Sequence, residues 1–225
     1  MPWEIRLWED VESWVLGLDE EAYNLVAAAV TRLESDGPTL GRPTADRIKG
    51  SRHHNMKELR PGSAGRSEIR ILFAFDPKRR AILLMAGDKA GKWKQWYRTN
   101  TQSLMAGSMS GSATRRSEMS TKTTSWSDVR TKRPVDEAAV AKHVAGMQAE
   151  ERAYRLREIR EELGVTQKEL AERMAITQPT ISALESGDLD RSGLATLKSY
   201  VEALGGTVEV TASFGNRKLI LLSNP

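Results

Sequence analysis

What this chain lacks narrows the reading first. It has no cysteine at all, so neither disulfides nor thiolate metal sites contribute, and a cytoplasmic location is the expectation. Histidine is scarce, with three in the chain, and no cofactor or metal is expected. No apolar run approaches the roughly 20 residues that cross a bilayer, and the N-terminal WEIRLWEDVESW is charged throughout, unlike a signal peptide. Membrane attachment is therefore not expected. What is present is 225 residues with 39% hydrophobic content, enough for one large core or two small ones, and two domains is the better fit.

Net charge is only +4, but it is unevenly spread. Residues 1–41 carry 2 basic and 9 acidic side chains (−7), whereas residues 42–98 carry 15 basic and 5 acidic (+10). Such polarisation suits a polyanion on one face, or two halves that neutralise each other across the fold.

From Asp136 to Gly206 apolar residues recur at helical spacing. In GVTQKELAERMAITQPTISALESG, Leu170, Ala171 and Met174 form the inner face of one helix, and Ile181 and Leu184 that of the next. Thr166 with Glu169 reads as a capping box, Pro179 suits a first helical turn, and Gly187 a helix end. After Leu204 the period becomes alternating, and Gly215-Asn216 predicts a hairpin, which either closes its own domain or pairs with a second copy.

This pattern, from about Arg155 to Leu204, resembles the Cro/CI-type (XRE) helix-turn-helix family. The resemblance implies a second helix in the DNA major groove, with Thr177, Gln178, Pro179, Thr180 and Ser182 at the bases and Gln167 at a phosphate. Gln178 suits a bidentate contact to adenine. Residues 136–225 carry 11 basic and 14 acidic side chains, net −3, so the DNA surface must be local, drawing on Arg155, Arg157, Arg160, Lys168 and Arg173. A symmetric homodimer on a palindromic operator in its own promoter is the implied partner arrangement.

In the N-terminal half, WEIRLW alternates as a strand does, DVESWVLGL and DEEAYNLVAAAVTRLESDG read as helices, and NMKELR, SEIRILFAFD and RAILLMAGDK read as strands. The order predicts a small α/β domain: an antiparallel sheet with helices on one face. The whole chain is α+β, this domain being followed by an all-α helix-turn-helix domain with a C-terminal β-hairpin. Through KELR, the RILFAFD strand and GDKAGKW, residues 3–97 resemble the HigB-type branch of the RelE toxin superfamily. Members are ribonucleases that usually cut mRNA on the ribosome, and in this branch the paired antitoxin carries a Cro/CI-type helix-turn-helix.

Cleaving RNA through its own 2′-OH needs a proton acceptor, cations for the phosphate and an acid for the leaving oxygen. Arg70, central in a strand, and Arg60, ending KELR, are the candidates for the phosphate, since guanidinium forks match its oxygens. Lys57 and Lys89 are candidate assistants. The resemblance places Tyr97 where related toxins put an aromatic or acid-base residue, and Trp93 or Trp96 can stack on a base or fill the core. His53 and His54 are adjacent, so strand alternation points them to opposite faces and away from a shared phosphate.

The expected division is residues 1–98 as toxin-like domain, 99–135 as polar linker or fusion junction, and 136–225 as DNA-binding antitoxin-like domain. Met119 reads as the start of a second gene, followed by a polar arm that orders on docking to its partner. The implied function is a toxin-antitoxin fusion: an autorepressor holding a metal-independent mRNA endoribonuclease in cis. The alternative is a transcriptional regulator whose N-terminal domain is catalytically inactive and serves association or RNA binding.

Overall fold

The computed structural model describes residues 2–48, 56–62, 68–88, 123–187 and 193–222. The chain forms two compact units, Met1–Met147 and Gln148–Pro225.

The N-terminal unit opens with β1 (Glu4–Trp8), whose alternate residues Ile5 and Leu7 are buried. Two helices follow, α1 (Glu9–Leu16) and α2 (Glu20–Asp36). Asp19 caps α2 by accepting from the Ala22 N–H at 2.8 Å. The run Ala27-Ala28-Ala29 is buried, its small side chains allowing the helix to lie close on the sheet. Gly37 ends α2 at φ +55°, and a Cβ there would sit 2.1 Å from the Trp3 indole nitrogen, so both conformation and space require glycine.

Then come β2 (Ala45–Arg47), β3 (Met56–Leu59), β4 (Ile69–Phe75) and β5 (Arg80–Asp88). The sheet order is β2-β3-β4-β5-β1-β6, with β6 the segment Thr123–Ser125. Every neighbouring pair is antiparallel except β1 with β5, which is parallel because α1 and α2 cross over between β1 and the meander. Ile69, Ile71, Phe73 and Leu83 join Val11, Val15, Tyr23, Val26 and Leu33 in the main core. On the other face Met56, Leu72, Ile82 and Leu84 form a smaller cluster. The sheet with helices is present as expected, and it is antiparallel except for the β1–β5 pair.

The stretch 99–135, expected as polar linker or fusion junction with an arm that orders on docking, forms a strand and a helix in its described part. β6 pairs with β1, Leu7 opposite Thr124, and leads into α3 (Trp126–Lys132), capped by the Ser125 hydroxyl accepting from the Asp128 N–H at 3.1 Å. Trp126, 2% exposed, and Val129 enter the main core, the indole 6.2 Å from the Tyr23 ring. The sequence looks polar because only these residues of the segment need to be apolar to fill the space that α1 and α2 leave. Met119 and the rest of 89–122 lie outside the described residues.

Asp136 caps α4 (Glu137–Glu162), accepting from the Ala138 and Ala139 N–H groups. Val140 and Met147 of this helix belong to the main core, so the N-terminal unit extends beyond residue 136, where the second domain was expected to begin.

The C-terminal unit contains the remainder of α4, then α5 (Gln167–Arg173), α6 (Gln178–Leu184), α7 (Leu194–Ala203) and the hairpin β7 (Val210–Phe214) and β8 (Arg217–Leu222). Its core is Ala153, Val165, Leu170, Ala171, Ile181, Leu184 and Tyr200. The Thr166/Glu169 capping box is formed. The hairpin turns at Gly215, and Phe214, Leu219, Ile220, Leu221 and Leu222 are exposed.

Trp126→Ala tests the docked segment. Removing a buried indole costs about 3–5 kcal/mol, so the N-terminal unit should melt well below wild type in a denaturant titration followed by tryptophan fluorescence. A change under about 0.5 kcal/mol, the size usual for exposed positions, would mean that the segment does not pack.

Candidate nucleic-acid interfaces

In the C-terminal unit, α5, the turn and α6 place Thr177, Gln178, Pro179 and Thr180 together on the surface, with Ser182 half-buried one turn on. The Thr177 and Thr180 hydroxyls bond each other at 2.8 Å, and the Ser182 carbonyl accepts from the Ser186 hydroxyl. Gln167 begins α5 next to them. Four of the six residues expected at DNA, Thr177 to Thr180, thus form one exposed stretch, and Gln167 is bonded to it through Gln178.

Beneath this surface lies a group that sequence reasoning missed. Glu185, buried at the end of α6, accepts from Arg160 Nε at 2.6 Å and Nη2 at 2.9 Å, from the Tyr200 hydroxyl at 2.7 Å and from Gln167 Nε2 at 2.9 Å. Arg160 also donates to the Val165 carbonyl. Gln167 Oε1 in turn accepts from Gln178 Nε2 at 3.0 Å. A chain of hydrogen bonds thus runs from a core ion pair to the exposed amide of Gln178. Burial pushes the Glu185 carboxyl upward, but the hydrogen bonds from Arg160, Gln167 and Tyr200 outweigh it and hold the group below its ordinary value. Burial and the bond to Glu185 push the Tyr200 hydroxyl well above its usual range.

Arg160 was expected on the DNA surface, but it is 5% exposed and committed to Glu185. Its i to i+25 partner lies too far along the chain for a helical spacing rule to reveal. Arg155 and Arg157 pair with Glu151 and Glu161 four residues away, Lys168 lies 4.0 Å from Glu172, and Arg173 donates to the Ala203 carbonyl.

In the N-terminal unit, Arg60 and Arg70 do come together, joined by Glu58. This carboxylate, 4% exposed, sits with Oε1 at 2.9 Å from Arg60 Nε and 3.0 Å from Arg70 Nε, the latter an ion pair without an aligned hydrogen bond. Arg60 Nη2 also reaches Asp46 at 3.2 Å, and Arg42 meets the same carboxylate at 2.6 Å. Arg42, Asp46, Arg60, Glu58 and Arg70 form a row of alternating charge across β2, β3 and β4. Partial burial pushes Asp46 up, yet the hydrogen bonds from Arg42 and the Arg47 N–H, with the charges of Arg42 and Arg60, bring it below its ordinary value.

Lys57 is not placed with this row. Strand alternation sends it to the opposite face, where its ammonium donates to the Pro38 and Leu40 carbonyls at 2.7 and 2.9 Å. There burial, and next the charge of Arg47, lower its pKa. The same alternation pairs Glu58 with Arg60, which was legible in KELR. Lys89, Tyr97, Trp93, Trp96, His53 and His54 lie outside the described residues.

The family described as Phage derived protein Gp49-like matches residues 13–104, and a Helix-turn-helix family matches residues 156–210. The Mycobacterium tuberculosis protein named Putative toxin HigB2 is 64% identical over 89 residues, 40% of this chain and 44% of its own, so the chain spans less than half of that relative's length. Putative toxin HigB3 of the same organism is 57% identical over 96 residues, 43% of this chain and 82% of its own. Its Putative antitoxin HigA2 is 40% identical over 89 residues, 40% of this chain and 88% of its own. A solved structure described as DNA bound antitoxin HigA3 is 42% identical where it matches, covering 30% of this chain and 88% of its own with a TM-score of 0.27. The chain belongs, in its N-terminal part, to the Gp49-like HigB toxin family and, in its C-terminal part, to the helix-turn-helix HigA antitoxin family.

Proposed function

We propose that this chain is a toxin-antitoxin fusion acting in the cytoplasm, in which a DNA-binding autorepressor holds a metal-independent mRNA endoribonuclease in cis. The observation that carries the reading is the docking of Thr123–Lys132 into the N-terminal core through β6, Trp126 and Val129. A segment that follows the toxin-like domain in sequence completes that domain's sheet, as a bound antitoxin arm would. In this reading Arg60 and Arg70 hold the phosphate of the RNA, aligned by Glu58. A second reading, a regulator whose N-terminal domain is inactive, is favoured by one observation: the charge row already contains carboxylates that neutralise both arginines.

The two readings separate in cells. Expression of Met1–Arg98 should arrest growth, and co-expression of Met119–Pro225 should restore it. Arg70→Ala in the fragment should abolish arrest and lower RNA cleavage about a hundredfold, the scale of a lost charge-stabilising donor. Cleavage unchanged by Arg70→Ala, or no arrest while the fragment is folded, would favour the inactive domain.

On DNA, the exposed Thr177–Thr180 surface supports major-groove reading of a palindromic operator, and the exposed apolar hairpin supports pairing with a second copy. Gln178→Ala with Thr180→Ala should cost about 1–3 kcal/mol at the specific site, the worth of one good base contact. Non-specific binding and its salt dependence should stay unchanged. Footprinting on the promoter of its own gene checks this, and undiminished specificity would remove these residues from the interface.

A further inference from the structure

The docked arm touches the N-terminal unit mostly through features that many sequences could supply. The β6–β1 ladder is backbone pairing, and Trp126 and Val129 fill apolar space. Arg133 Nη1 donates to the Leu16 and Leu18 carbonyls, while its guanidinium lies 4.2 Å from the Tyr23 ring centroid. Arg6 donates to the Thr123 hydroxyl and carbonyl.

Glu12 is different in kind. It lies on α1 next to the core residue Val11, is 9% exposed, and has both carboxylate oxygens taken by the arm. Oε2 accepts from the Thr124 hydroxyl at 2.5 Å, and Oε1 from the Lys132 ammonium at 2.6 Å. The two donors straddle the inserted tryptophan, one two residues before it and one six residues after. Hydrogen bonds from Lys132 and Thr124 outweigh burial and hold the Glu12 carboxyl below its ordinary value. A buried carboxylate without the arm's donors would be costly, and one facing an acid costlier still.

We infer that Glu12 is the selector by which the N-terminal unit accepts an arm. The inference rests on the reading of Thr123–Lys132 as the capturing segment. The arm it fits is this chain's own, with a hydroxyl at the position of Thr124 and a cation at that of Lys132, whether it comes from the same molecule or from a second copy. An arm with an acid at the Lys132 position is refused even when its tryptophan and strand are intact. Selection works because Lys132 is largely exposed, so it contributes recognition while Trp126 contributes burial.

The test uses the full chain with a specific protease site placed within Ser103–Glu118. After cutting, retention of the C-terminal piece on the tagged N-terminal piece is measured for wild type, Glu12→Lys, Lys132→Glu and the double variant. Each single reversal should weaken retention at least about tenfold, and the double should return to within about threefold of wild type, as interacting charge pairs do in double-mutant cycles. Single variants that hold like wild type, or a double variant that stays as weak as the singles, would overturn the selector. Separation of the cut wild-type pieces would instead defeat the capture reading. Since Lys132→Glu changes an exposed side chain, it decides the matter even if Glu12→Lys fails to fold, with Glu12→Gln as the size-conserving companion. Uncut wild type added as competitor should displace the wild-type piece but not the Lys132→Glu piece from a Glu12→Lys partner.

Discussion

The insertion of Trp126 and Val129 into the space beside Tyr23 is the contact on which the N-terminal unit's organisation depends. These side chains belong to the same core as Val11, Val15 and Tyr23, the Trp126 indole 6.2 Å from the Tyr23 ring. With them, β6 is brought onto β1, Arg133 reaches the carbonyls at the end of α1, and the Asp136 N–H meets the Asn24 side chain at 3.2 Å. A short amphipathic segment thereby satisfies apolar and polar groups that the preceding domain leaves open. Within the N-terminal unit, the later segment thus completes a core that the earlier one begins.

The two interfaces are built on contrasting electrostatic plans. In the C-terminal unit a carboxylate is buried under the Thr177–Thr180 surface and fixes neutral side chains, so that Gln178 presents an amide held in place by Gln167. In the N-terminal unit carboxylates alternate with guanidinium groups across three strands. There each arginine is held by part of its fork and kept near charge balance by its neighbours. The first plan limits movement of the exposed donor and acceptor pair of the Gln178 amide. The second limits how strongly bare positive charge attracts any polyanion, which bears on selectivity as well as strength.

The helix-turn-helix was legible because it is local: Thr166 with Glu169, Pro179 after Gln178, and Leu170 against Ile181 all lie within a short stretch, and the period is helical. Four of the six strands of the N-terminal sheet, β1, β3, β4 and β5, were legible for the same reason, whereas β2 and β6, three residues each, were not. What could not be read is what depends on distant residues. Arg160 looked like a surface cation because its partner Glu185 is 25 positions away. The arm reads as polar throughout because its two buried residues sit among Ser, Thr and Lys, and their burial depends on a surface built by residues 5 to 33. Lys57 is the instructive exception, since alternation within KELR already separates it from Arg60 and joins Arg60 to Glu58.

The place of β1 in the sheet has a consequence for the order in which the chain acquires structure. β1 is made first, yet it is flanked by β5 on one side and β6 on the other, and Arg6 meets Thr123 across 117 positions. Until more than half of the chain has been synthesised, one side of β1 presents unpaired backbone donors and acceptors next to apolar residues, the arrangement that invites strands of other molecules. Carrying the covering strand on the same polypeptide limits that interval to the time needed to finish translation. Were the covering strand supplied by a separate chain, the interval would instead depend on that chain's concentration.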